Sequence, residues 1–549
     1  MMRVLEGLKP EKVFYYFEEL TKIPRGSGNE KAVSDYLVHF AKQRGLKVRQ
    51  DEAYNVVIWQ KATPGYENHP GVILQGHMDM VCVKKERLSI NMETDPLDLA
   101  VEGDYIFARG TSLGGDDGIA VAMALAILDD ETIPHPPLEV IITTDEEVGM
   151  TGASRLNPEG VEGRLLINID SEDEGILTAG CAGGLRVDHT LKVQKESTSL
   201  SSGLHDSEQS EDVKNKDVQG VGLQRADVQG GMQVVQLLIH GLKGGHSGIE
   251  IGKERANAMI ELARCIDLFL DKEGDACRLI AFNGGEKDNA IPLRATAEMV
   301  IPSAVINRLQ EFVESHNQLL GFEYALSDPE IEIVVNSVDG FSTVSDLNTN
   351  MDSIHHSEKE HEKEKSAKET TGQIMALTPE SAKNFLNLIL TMPNGIQHMS
   401  MAVPGLPETS LNMGIVRLEK DSEAASLTQS IRSSISSRKG QLLRKVSHIA
   451  AGLGASSSTR GDYPAWEFRP ESRLRNLVCE TYEQLFGKKM TVDIIHAGLE
   501  CGLLSEKLPG LDAISIGPDL KDIHTTKEKM SISSTIRTFQ LVCEVLSRV

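Results

Sequence analysis

The apolar run Leu138-Glu139-Val140-Ile141-Ile142 passes directly into TTDEEVGM (143–150), which sets Asp145, Glu146 and Glu147 side by side. A short, branched run of this kind reads as an interior strand. Three carboxylates at its end repel one another unless something positive lies among them or one of them works as a base. The pattern recurs along the chain. Val72–Gln75 leads into GHMDM (76–80), and Leu165–Ile169 leads into Asp170 within INIDSEDEG (167–175). Between the first two strands lies the Ala-rich stretch Gly118–Leu128, GIAVAMALAIL, of helical length. Strands alternating with helices in this way specify an α/β fold: a mainly parallel sheet with helices on both faces.

With 549 residues the chain exceeds what one simple core accommodates, and two or three domains are expected. Near residue 196 the character changes. A strand at Val234–His240, a glycine-rich loop, a helix around Lys253–Leu270, a strand at Leu427–Ile435 and a helix around Gln441–Leu453 read as a second, α+β unit. It spans 184–467 and carries two polar stretches, about 196–230 and 343–372, expected to be solvated and disordered. After it the α/β pattern returns with a helix at Ser472–Phe486, a strand at Ala513–Ile516 and a final helix from Ser533. Residues 1–183 and 468–549 are therefore expected to form one domain.

A formal charge of −25 argues against nucleic acid or an anionic membrane as partner. Seven scattered cysteines, none spaced as CxxC, fit a reducing compartment and argue against a thiolate metal site. The N-terminal MMRVLEGLKPEKVFYYFEEL reads as an amphipathic helix rather than a signal peptide. No apolar run approaches the roughly 18 residues of a membrane span, so a cytoplasmic protein is expected.

The acidic turn is one of five stretches rich in His, Asp and Glu. GHMDM offers His77 and Asp79; SLGGDDG (112–118) offers Asp116 and Asp117; INIDSEDEG offers Asp170; SIGPDLKDIHTT (515–526) offers His524. Four of the five follow strand-like segments, and binding sites in α/β sheets gather beyond the carboxyl ends of strands. Imidazole and carboxylate without thiolate suit Zn²⁺ or Mn²⁺. Two histidines and several carboxylates exceed the needs of one four-coordinate ion and match a pair sharing a carboxylate and a water. One of the adjacent glutamates is then free to take that water's proton, and Asp79 can orient the His77 imidazole. His355, His356 and His361 lie in a Glu- and Lys-rich segment without apolar support and read as solvated.

GHMDM, SLGGDDGIA, TTDEEVG, INIDSEDEG, GGHSG, HAGLECG (496–502) and GPDLKDIHT together resemble the aminoacyl-histidine dipeptidases, co-catalytic zinc peptidases grouped with carnosinases and bacterial carboxypeptidase G. The likeness spans the chain apart from the two polar stretches. HAGLECG and the Asp-Asp-Gly motif favour the aminoacyl-histidine branch over acylases and carboxypeptidases. The resemblance implies two divalent ions per subunit, zinc with Mn²⁺ or Co²⁺ as substitutes. Asp116 would bridge them, His77 and Asp170 would complete one, and Glu147 and His524 the other. Glu146 would be the general base, Asp79 the orienting acid and Asp117 a helix-cap neighbour. His246, in GLKGGHSGIEIG (241–252), would stabilise an oxyanion from the lid, often in the partner subunit of a homodimer. Arg432 in SIRSSIS and Asn289 in GGEKDNAIP would bind the small peptide substrate, and Glu500 would meet its amino group. The implied reaction is hydrolysis of Xaa-His and other unblocked dipeptides. An N-acyl-amino-acid or tripeptide amidohydrolase with the same ions is an alternative. A non-catalytic, metal-stabilised binding protein is another, although it would have no need of a spare base beside Glu147.

Overall fold

Strand Val72–His77 is buried along its whole length, because both faces of the sheet around it are covered. Alternate side chains enter different cores. Val72 and Leu74 join Phe14, Phe17, Ile119 and Met123 in one, whereas Ile73 joins Trp466, Leu499 and Leu504 in the other. The computed structural model describes residues 3–199, 231–337, 373–401 and 403–549. The histidines at 355, 356 and 361, and the polar stretch 343–372, lie outside them.

The first sheet runs in the order Lys47–Gln50, Val56–Gln60, Leu138–Thr143, Val72–His77, Leu165–Asn168, Asp512–Ser515, Ile176–Cys181 and Thr491–Ile495. Four of its seven neighbour pairs are parallel, including both pairs made by Val72–His77. His77 is level with Thr143, and Gln75 with Asn168. Three strands therefore end in one layer, and the loops that follow them open on the same side. Helix Gly115–Leu128, almost wholly buried, lies between helix Glu11–Leu20 and strand Val72–His77, where its alanines permit close approach.

At Gly183 the chain enters a second sheet of nine strands whose pairs are all antiparallel. It leaves that sheet after Ala455–Tyr463. Helices Ala258–Glu273, Ile306–Glu323, Pro379–Thr391 and Ser436–Gly452 contribute to its core. Several elements differ from their sequence expectations. The helix expected from Lys253 starts at Ala258, after Asn257 accepts the Met259 N–H (3.1 Å), because Glu250 draws Lys253 and Arg255 into a tight turn before it. Residues 196–199, expected to be solvated, lie in strand Lys195–Ser199, which pairs with Gln373–Leu377; Ile374 and Ala376 bury the other strand of that pair. The rest of that polar stretch, 200–230, lies outside the described residues.

Thr378 caps helix Pro379–Thr391 by accepting the Ser381 N–H (3.2 Å), with proline at the first helical position. Thr378→Ala is expected to cost about 1 kcal/mol, read as a lower urea midpoint at unchanged slope. Among the described residues no helix is long and apolar enough to cross a membrane.

Candidate metal centre

Each candidate ligand stands at the end of a regular element. His77 closes its strand, the turn 145–149 follows Leu138–Thr143, and Asp170 follows Leu165–Asn168. Asp116 stands at the start of helix Gly115–Leu128, and His524 occupies the hairpin loop between strands Leu520–Lys521 and Lys529–Ser531 in a left-handed conformation (φ 59°). The side chains converge into two groups, His77 with Asp116 and Asp170, and Asp116 with Glu147 and His524, whose ligand atoms lie within 4.8 Å of one another.

Asp116 belongs to both. Its Oδ1 lies 3.1 Å from His77 Nε2, and its Oδ2 lies 3.1 Å from His524 Nε2. On the first side Asp170 Oδ1 is 3.5 Å from His77 Nε2; on the second, Glu147 Oε2 is 3.0 Å from His524 Nε2. Burial opposes charge on Asp116, but the hydrogen bonds from His524 and His77 outweigh it and hold the carboxyl well below its usual range. Burial pushes Asp170 up to about 6, against the pull of His77. Hydrogen bonds to Asp116 and Glu147 push His524 up to about 11. Glu147 Oε1 is buried with no hydrogen-bond partner among the described residues. An imidazole and carboxylate set with a free buried oxygen fits divalent cations.

Asp79 ties His77 to the acidic turn. Its Oδ1 lies 3.2 Å from His77 Nδ1 and accepts the Glu146 N–H (3.1 Å), while its Oδ2 accepts from Ser27 Oγ (2.8 Å) and the Glu147 N–H (3.2 Å). Burial opposes ionisation of Asp79, yet His77, Ser27 and the Glu146 amide hold it below its usual range. Asp145, the third acid of the turn, is committed to the backbone and a hydroxyl: it accepts the Gly28 N–H (3.0 Å) and Thr151 Oγ (3.2 Å). Burial drives the Glu146 carboxyl well above its usual range; His77 opposes this, and Asp170, Glu500 and Glu147 add to it. Glu146 thus shares the centre's electrostatic environment.

Asp117, expected as a helix-cap neighbour, turns toward the strand, where its Oδ2 accepts the His77 N–H (3.2 Å). A Cβ on Gly76 would stand 2.4 Å from that oxygen, which explains the glycine of GHMDM.

Arg432, His246 and Asn289 gather in a second cluster, whereas Glu500 adjoins the ligand set. Arg432 is buried; its Nη1 donates to Tyr463 OH (3.1 Å), and its Nε has no partner among the described residues. Ser410, opposite Arg432 on the neighbouring strand, contacts His496 Nε2 through Oγ (2.7 Å). His246 belongs to this second cluster: burial and then Arg432 lower its pKa. A Cβ on Gly248 would stand 2.6 Å from the His496 carbonyl and 3.0 Å from the His246 ring. Asn289 joins through its carbonyl, which accepts the Ser247 N–H (2.8 Å). Glu500 is fully buried beneath the strand ends and accepts from Gln75 Nε2 (2.6 Å) and Thr143 Oγ1 (2.5 Å); burial pushes it up to about 8. Sequence reasoning missed Ser410, Tyr463 and His496. Only His496 carried a signal, as the first residue of HAGLECG.

The model of peptidase family M20/M25/M40 matches residues 73–548. A cytosol non-specific dipeptidase of Escherichia coli (strain K12) is 33% identical over 550 aligned residues, covering 100% of this chain and 99% of that one. The crystal structure of an aminoacylhistidine dipeptidase from Vibrio alginolyticus superposes with a TM-score of 0.80 at 31% identity, covering 99% and 98% of the two chains. An aminopeptidase from Bacillus cereus, at 13% identity and a TM-score of 0.50 with 98% of each chain covered, shares the fold alone.

Proposed function

This chain belongs to peptidase family M20/M25/M40, and from that premise we propose that it is a metal-dependent dipeptidase acting on unblocked dipeptides, Xaa-His among them. The observation that carries the reading is Asp116, which presents one carboxylate oxygen to each of two ligand groups. His77 and Asp170 would hold one divalent ion with it, and Glu147 and His524 a second. Zinc is the first choice, and Mn²⁺ or Co²⁺ its substitute. When bound, such a pair lowers the pKa of a water and polarises the scissile carbonyl.

The chain's own residues do the rest. Asp79 orients His77 and, through the backbone amides of Glu146 and Glu147, fixes the turn that carries them. Glu146 takes a proton from the attacking water and returns it to the leaving amine. Arg432, a buried cation whose Nε has no partner among the described residues, receives the substrate's free carboxylate, and Asn289 assists. His246 serves the oxyanion. Within one chain it sits with Arg432 and His496 rather than with the ligands, an arrangement that suits a histidine delivered by lid closure or by a second copy. The reading also makes the enzyme a cytoplasmic homodimer, with residues 184–467 as lid.

The test is a turnover panel on chelated and reloaded protein. Xaa-His dipeptides should be cleaved after addition of Zn²⁺, Mn²⁺ or Co²⁺ and spared without metal, while N-acetyl and C-terminal amide analogues react poorly. Arg432→Ala should raise KM for free dipeptides about 10- to 100-fold, the loss of a charge-assisted contact worth about 1.5–3 kcal/mol, and leave the amides little changed. Metal-independent cleavage, or preference for N-acetyl substrates, would overturn the reading.

A further inference from the structure

We propose that Glu528 is a positioning residue for the ion pair, an inference that rests on the two-ion reading above. Its carboxylate, 3% exposed, grips three consecutive backbone amides just before Asp116. Oε2 accepts the N–H of Leu113 (2.8 Å) and of Gly114 (3.2 Å), and Oε1 accepts the N–H of Gly115 (2.8 Å). The same peptide is held from the opposite polarity by Arg25, 2% exposed, whose Nη2 donates to the Gly114 carbonyl. Arg25 Nη1 reaches back to the carbonyls of Met78 (2.9 Å) and Asp79 (3.1 Å), directly after His77. A buried anion and a buried cation therefore fix the segment that delivers the shared ligand.

The glycines of SLGGDDG follow from this grip. Gly114 takes φ +66°, and a Cβ there would stand 2.5 Å from Arg25 Nη2; one on Gly118 would stand 2.4 Å from the same atom. Glu528 also lies four residues after His524 in one loop. One short segment thus supplies a ligand to the second group and clamps the backbone that brings Asp116 to it. Loss of the clamp should fall hardest on the ion held by Asp116, Glu147 and His524, because two of its three ligands depend on that loop. The other ion keeps His77 and Asp170, both fixed at strand ends.

The experiment is a Mn²⁺ titration of chelated full-length protein, followed by electron paramagnetic resonance, for wild type, Glu528→Gln and Glu528→Asp. Wild type should take two ions and show a spin-coupled signal. Glu528→Gln should bind the first ion within about tenfold of wild type and the second about 10- to 100-fold more weakly, with the coupled signal lost at equal metal. If Glu528 only capped helix Gly115–Leu128, its loss would lower the melting temperature and leave both ions in place, which overturns the proposal. Equal weakening of both ions, or failure of both variants to fold, overturns it as well. Absence of the coupled pair from wild type would instead strike the two-ion reading itself.

Discussion

Asp116→Asn should leave the protein folded but without tightly held metal, and with turnover at background. Every other ligand serves one group, whereas Asp116 serves both. An amide offers one weakly basic oxygen in place of two anionic ones, so both ions lose a ligand and the centre loses a negative charge. Outer partners of metal ligands are worth about 10- to 100-fold in affinity, and a shared ligand should exceed that for each ion. Asp170→Asn and His524→Ala, by contrast, should each weaken one ion and spare much of the other. Metal content after dialysis, measured beside far-UV circular dichroism, gives the answer. An Asp116→Asn protein that kept two ions per chain would sink the shared-ligand assignment.

Glu146→Gln should show the complementary pattern, with both ions retained and kcat reduced about 10²- to 10⁴-fold, the usual worth of a positioned general base. Glutamine keeps the shape of the side chain and removes its capacity to accept a proton from water. The turn itself should survive, because Asp79 holds it through the backbone amides of Glu146 and Glu147 rather than through the Glu146 carboxyl. Unchanged kcat would dismiss Glu146 as the base, and loss of an ion would make it a ligand.

The parts of this molecule legible in its sequence are those fixed by local pattern. Branched apolar runs announced the central strands, and acids or histidines at their ends announced the loops of the site. Spacing could not assign the adjacent aspartates, because the backbone between them decides which way each carboxylate faces. Asp116 leaves the helical region (φ −81°, ψ 108°), so its side chain meets two imidazoles while Asp117 meets the His77 amide. Arg25 and Glu528 gave no signal at all, one in PRGSG and the other among lysines, since their roles arise from contacts across 89 and 415 residues of chain. Helices Ile306–Glu323 and Pro379–Thr391 escaped notice among polar stretches for a related reason, as their apolar stripes acquire meaning only against the second sheet.

The order of strands in the first sheet also ties together stretches far apart in the chain. Asp512–Ser515 fills the slot between Leu165–Asn168 and Ile176–Cys181. A growing polypeptide with its first 500 residues made has a vacancy at the heart of that sheet and lacks His524 and Glu528. Earlier segments organise first during synthesis, so if His524 holds metal as proposed, turnover is expected only once residue 524 has joined the fold.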